Sequence, residues 1–124
     1  MKKLISLLAL SLTLTVPMAA ALTADEAREC QALAESFGPA KTSLEQKVAE
    51  RDTRAAEAEA AGEAWQNAEN VRTLGAEAAA EADSLKAAYD AKKADFNAFE
   101  AELHSASTKL NANFARFNSL CVSD

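Results

Sequence analysis

Cys30 and Cys121 are the residues whose type and spacing point most directly to chemistry. Two cysteines in an exported chain favour one disulfide, and the absence of a C-x-x-C motif argues against a redox pair. In the chain-entropy description, closing a loop of about 90 residues stabilises a folded domain by roughly 4–5 kcal/mol. We therefore expect a structural cross-link between these two residues.

The other side chains capable of chemistry are too sparse for a metal centre. His104 is the single histidine and lies four residues after Glu100, whereas transition-metal sites usually gather three or four ligands. Three acidic residues cluster near the middle of the chain without the spacing of a calcium loop: Glu77, Glu81 and Asp83. The sequence predicts no metal site and no cofactor.

Catalytic motifs are also missing from the sequence. Ser105, Ser107 and Thr108 have no nucleophile elbow around them and no second histidine. The chain holds only three glycines, none of them in a phosphate-binding loop. We therefore expect a protein that is not an enzyme.

Aromatic residues are the best candidates for contacts with another protein, because they are enriched at interface hot spots. The candidates are Trp65, Tyr89, Phe96 and Phe99. Trp65 has two interpretations: it packs inside the molecule on Leu85 or Lys86, or it is exposed as an anchor for a partner. The phenylalanines are core residues in a closed fold and dimer contacts otherwise.

The N-terminal segment has the parts of a secretory signal peptide. Lys2 and Lys3 precede an apolar run over 4–16, and Pro17 and a small-residue end at Ala21 follow. A helix of that run spans about 20 Å, less than the ~30 Å hydrocarbon core, so a retained anchor is the weaker alternative. We expect a leader over 1–21, a single domain over 22–124, a periplasmic or secreted location and no stable membrane anchor after cleavage.

The net charge of the chain limits the classes of partner that it can bind. Without Lys2 and Lys3 the chain has 11 basic and 19 acidic residues, a net charge of −8. An acidic chain with scattered basic residues is a poor match for a phosphate backbone or an anionic lipid surface. We expect no binding to nucleic acid.

The strongest structural pattern lies in the C-terminal third of the chain. Large apolar residues recur there at alternating spacings of four and three, the 3.5-residue period of a coiled-coil seam. The predicted seam consists of Leu85, Tyr89, Lys92, Phe96, Phe99, Leu103, Ala106, Leu110, Asn113, Phe117 and Leu120. This pattern predicts a long helix over about 74–120 with one packing stripe.

The N-terminal half predicts two helices over about 24–37 and 40–69. Thr23 and Glu26 form a capping-box pattern, and Gly38-Pro39 interrupts the helical sequence. A stripe of mainly small residues follows: Leu44, Val48, Arg51, Ala55, Ala58, Gly62 and Trp65. Small residues here, opposite large ones in the C-terminal helix, would let two helices interlock. Close approach of Tyr89 would explain the glycine at 62.

A chain reversal is expected over 70–75, with Asn70 in a left-handed conformation and Thr73 capping the next helix. In an antiparallel hairpin, paired residues have a constant sum of numbers, so a bend near Gly75 brings Cys30 to Cys121. The predicted fold is an all-α, antiparallel, coiled-coil-like hairpin with one disulfide, whose short N-terminal helix continues one arm past a kink at Gly38-Pro39. A three-helix bundle and one unbroken helix are the alternatives.

This fold favours a small exported structural or interaction protein that contacts a protein partner or a second copy through its helix faces. Two other functions remain open from the sequence: a periplasmic holdase-type chaperone, and a binder of a cation or small ligand.

Overall fold

The structure, a computed structural model, describes residues 21–122. The predicted leader, apart from Ala21, lies outside these residues. Helix α1 covers Ala24–Glu69, a 3-10 turn covers Arg72–Leu74, and helix α2 covers Ala76–Cys121. The two helices have 46 residues each, so each extends over about 70 Å. They pack against each other as the predicted antiparallel hairpin.

Helix α1 begins with the predicted capping box. The Glu26 amide donates to Thr23 Oγ1 at 3.2 Å, and the Thr23 amide donates to Glu26 Oε2 at 2.7 Å. The hydrogen bonds with the backbone and side chain of Thr23 lower the pKa of Glu26. This exchange satisfies two amides that would otherwise lack a partner in the first turn.

The helix does not end at Gly38-Pro39. Residues predicted as two helices form one continuous α-helix with Pro39 inside it. A proline in a helix removes the hydrogen bond to the carbonyl of residue 35 and crowds the preceding residue. Gly38 has no Cβ to meet the proline ring, which relieves part of that crowding. The chain therefore does not reverse here, and the three-helix bundle does not form.

Pro39→Ala is expected to raise the free energy of unfolding by about 1–2 kcal/mol, because it restores a helical hydrogen bond. Urea denaturation monitored by circular dichroism measures the change. Ser43→Ala, one turn further along the same helix, is the control and should change the stability by less than about 0.5 kcal/mol. A destabilised Pro39→Ala protein would show that the proline is needed for packing of the arm.

The chain reverses between Glu69 and Ala76 as predicted, but by a different local geometry. Asn70 has right-handed backbone angles (φ −60°, ψ −24°), and its amide donates to the Gln66 carbonyl at 3.1 Å. Thr73 lies within the 3-10 turn, and Gly75 precedes α2 without a side-chain cap. The predicted left-handed Asn70 and Thr73 cap are therefore wrong. The 3-10 hydrogen bonds take their place, including one from Leu74 to Val71 at 2.9 Å.

The far ends of the hairpin are joined by the predicted disulfide. Cys30 and Cys121 are bonded, with their Cα atoms 5.7 Å apart. The bond joins positions 91 residues apart near the two helix termini opposite the bend. The arithmetic that placed the reversal midway between the cysteines is confirmed.

The core consists of one stripe of residues from each helix. Every member of the predicted α2 seam is buried or half-buried except Lys92, whose Nζ lies 2.6 Å from Glu57 Oε2 on α1. Among the described residues, the buried positions are Ala58, Gly62, Ala68, Ala82 and Phe99. Gly62 faces Tyr89, and a Cβ built on Gly62 would lie 3.1 Å from Tyr89 Cε2. The predicted close approach, large side chain on small, is confirmed at this position.

Candidate interaction surfaces

The disulfide end combines covalent, aromatic and ionic contacts between the helices. Phe37 stacks on Phe114 with ring centroids 4.1 Å apart and meets Phe117 edge-on at 5.5 Å. Glu29 accepts from the Arg116 guanidinium at 2.8 and 3.1 Å. The N-terminal part of α1 therefore covers the end of α2, as the sequence predicts.

The Glu29–Arg116 pair makes stability depend on pH. The hydrogen bond from Arg116 lowers the pKa of Glu29 below its ordinary value of 4.5. Because the folded-state pKa is below the unfolded one, the stabilisation is present above about pH 4.5 and is lost as the pH falls through the folded value.

We expect the urea midpoint to decrease between about pH 6 and about pH 3, with part of the decrease absent in Glu29→Gln. Glu35→Gln is the control, since Glu35 accepts from Gln31 on its own helix and does not reach α2. Equal pH dependence in the two variants would contradict a contribution from the interhelical pair.

Trp65 and Tyr89 form a stacked aromatic pair across the hairpin. Their ring centroids are 5.6 Å apart with an interplanar angle of 17°. The Lys86 ammonium lies 5.6 Å from the Trp65 ring, so the predicted packing of Trp65 on Lys86 is present. Both rings are half-buried, and Trp65 Nε1 has no hydrogen-bond partner within the described part of the chain. Trp65 and Tyr89 are therefore both partly exposed as residues.

Phe99 lies in the core, only 5% exposed. Two cationic groups of α1 cover its ring: the Arg54 guanidinium at 4.5 Å and the Lys47 ammonium at 5.2 Å from the centroid. Arg54 is held in place by Glu50 on α1 and Asp95 on α2, each at 2.6 Å. This arrangement closes the middle of the seam with cation–π contacts instead of aliphatic side chains.

Six of the seven residues of the predicted α1 stripe are buried or half-buried, and the exception is Val48. Val48 is 42% exposed, while Lys47 and Arg54 are half-buried against α2. Positions 47, 51, 54 and 58 have the same four-three spacing, but the charged side chains of Lys47 and Arg54 gave no apolar signal in the sequence. The aliphatic stems of Lys and Arg cover apolar surface while their charged ends reach carboxylates of α2.

Phe96 is half-buried on α2 beside this cluster. The structure therefore brings Trp65 and Tyr89 together and places Phe99 beneath cations of α1. That these four aromatic residues contact a partner stays a prediction.

Ion pairs connect the middle parts of the two helices, and the Glu29–Arg116 pair connects their disulfide ends. In addition to the contacts of Arg54 and Lys92, Lys47 lies 3.7 Å from Glu102, and Arg51 lies 3.9 Å from Glu100. Each exposed pair contributes little by itself, but together they constrain how the helices align.

A groove near Pro39 separates the ion pair at the disulfide end from those in the middle of the hairpin. It has a volume of about 340 Å³ and is lined by Ser36, Ala40, Ser43, Leu44, Ala106, Lys109, Leu110 and Asn113. The groove exists because Ala40 and Ala106 are too short to fill the seam between the helices. Within residues 21–122, Lys109 has no carboxylate partner.

The bend exposes apolar and acidic side chains together. Leu74 is 79% exposed and Val71 is 43% exposed. Asp83, one of the three clustered acidic residues, accepts from Arg72, while Glu77 and Glu81 line an open depression beside Leu74. Among the described residues no group of His, Cys, Asp and Glu side chains is arranged to hold a metal ion.

In the described part of the chain, no helix combines the length and apolar character needed to cross a membrane. Comparisons of the whole chain with family models, curated proteins and solved structures gave no significant match.

Proposed function

We propose that this chain is a small exported structural or interaction protein that acts through its helix faces, by coiled-coil or helix-in-groove contacts with a protein partner or with a second copy. The disulfide is compatible with a periplasmic or secreted location, where it would persist.

The observation that carries this proposal is the thin core. Two helices of 46 residues share one stripe of packing, so their remaining faces are open to solvent along about 70 Å. Small domains that bury little surface usually gain stability from disulfides or from association. This chain has the disulfide and retains faces of the length that coiled-coil association uses.

The aromatic pair supplies the best-defined contact on these faces. Trp65 and Tyr89 stack on each other and are both half-buried, so the pair is held in place before a partner binds. Phe96 is the third candidate contact. Phe99 is also a candidate, but it is buried in the closed hairpin and would reach a partner only where the helices separate.

Sedimentation equilibrium of oxidised residues 22–124, combined with crosslinking in the native envelope fraction, tests the proposal. We expect either a defined self-complex or one stoichiometric protein partner, and in the second case an affinity for the partner that decreases at least about tenfold in Trp65→Ala. Glu59→Ala, at an exposed position of α1, is the matched control. A strict monomer with no crosslinked protein would contradict the proposal.

A further inference from the structure

The exposed flank of α2 has a second stripe with the four-three spacing of a helix-packing seam. Its members are Asp95, Ala98, Glu102, Ser105, Lys109, Ala112 and Arg116, which we call the outer stripe. All seven residues are exposed in the hairpin. Resting on the function proposed above, we propose that this stripe is the contact surface for a second copy of the chain, packed antiparallel in a two-fold symmetric dimer.

Charge along α2 favours the antiparallel arrangement. Residues 76–102 hold seven acidic and three basic side chains, a net charge of −4. Residues 103–121 contain no acidic residue and carry Lys109 and Arg116, a net charge of +2. Two α2 helices side by side in the same direction would place like charges together, whereas antiparallel helices place each basic end against an acidic segment.

The charged side chains at the centre of the outer stripe are not held by hydrogen bonds to α1. Arg116 and Asp95, at its two ends, are tied to Glu29 and Arg54 of α1. Glu102 is 66% exposed at its side chain and reaches Lys47 only at 3.7 Å, without a hydrogen bond. Lys109 projects beside the groove.

Opposite Lys109, α1 presents Ser36, Ala40 and Ser43, which cannot neutralise an ammonium group. Among residues 21–122, Lys109 therefore has no carboxylate partner on α1. A second copy can supply it.

Two-fold symmetry supplies that carboxylate twice. Glu102 and Lys109 are seven residues apart, two turns or about 10.5 Å along the same flank. A two-fold axis between Ser105 and Ala106 places Lys109 of each copy opposite Glu102 of the other. The small side chains of the outer stripe let the two helices approach closely enough for both pairs to form. The overlap extends over residues 90–121 of each copy, about 48 Å.

Exchanging the charges of Glu102 and Lys109 tests the proposed antiparallel dimer directly. Oxidised residues 22–124 are compared by sedimentation equilibrium at low salt as wild type, Lys109→Glu, Glu102→Lys and the double variant. Each single variant is expected to weaken dimerisation about tenfold, because both symmetric pairs become like-charged, and the double variant should restore it. Circular dichroism verifies that the variants keep their helices.

The matched controls are Lys93→Glu and Glu63→Lys, which make the same charge changes at exposed positions outside the outer stripe. They should retain wild-type association. Two results would overturn this interface and leave the proposed function intact. The first is a wild type that dimerises with an affinity that the single substitutions do not change. The second is a double variant that dimerises as weakly as the single variants. A monomer that binds another protein would do the same, and a monomer without any partner would overturn both.

Discussion

Replacing Cys30 and Cys121 together by alanine is expected to lower the free energy of unfolding by about 4–5 kcal/mol. The bond joins positions 91 residues apart, and removing it returns the entropy of that loop to the unfolded chain. This loss is a large fraction of the 5–15 kcal/mol that is typical of folded domains. Because each helix buries only one stripe of residues, the other contacts of the hairpin contribute too little stability to offset this loss of free energy.

Urea denaturation of the double variant, compared with the oxidised wild type, measures this effect. The control is wild-type protein treated with reductant, which should unfold at the same urea concentration as the double variant. An unchanged midpoint in either case would show that packing between the helices, and not the cross-link, holds the hairpin closed.

Phe99→Ala is expected to lower the free energy of unfolding by about 3 kcal/mol. Truncation of a buried phenylalanine usually costs 3–5 kcal/mol. The lower end applies here because a two-helix seam can close partly around the missing ring. The variant also loses the ring that Arg54 and Lys47 cover, and each such contact contributes about 0.5–1 kcal/mol at a partly exposed site.

Phe114→Ala is the matched control for Phe99→Ala. Phe114 is on the same helix and stacks on Phe37, but it is 41% exposed, so its truncation should cost about 1 kcal/mol. Urea unfolding curves of the two variants give the comparison. Equal destabilisation by both would mean that the middle of the seam is not the most tightly packed part of the core.

The pairing of the helices could be predicted because its signals are local. The α2 seam consists of large apolar residues at a 3.5-residue period, and Thr23 and Glu26 cap α1 with their own atoms. The single pair of cysteines, together with the rigidity of the helices, fixes where the chain must reverse. None of these features depends on the surface of the opposite helix.

One part of the α1 stripe, at Val48, could not be predicted correctly from the sequence. Val48 is apolar, but Lys47 and Arg54 are the residues that face α2, since their stems pack on Phe99 and their charges reach α2 carboxylates. A choice between two adjacent stripes depends on the opposite helix. Sequence periodicity within α1 does not contain that information. The spacing of the outer stripe of α2 is present in the sequence, but the neutral surroundings of Lys109 depend on the packing of α1 against α2.

The amino-acid sequence by itself determined that this chain is helical, acidic and closed by one disulfide, because capping, helix propensity and cysteine number act on short segments. The tertiary structure alone decided that α1 continues through Gly38-Pro39 and that the bend uses a 3-10 turn instead of a left-handed Asn70. The physical reason is that an unfavourable proline is tolerated where a continuous helix lets Phe37 pack on Phe114 and Cys30 reach Cys121. Those gains depend on residues more than 70 positions away.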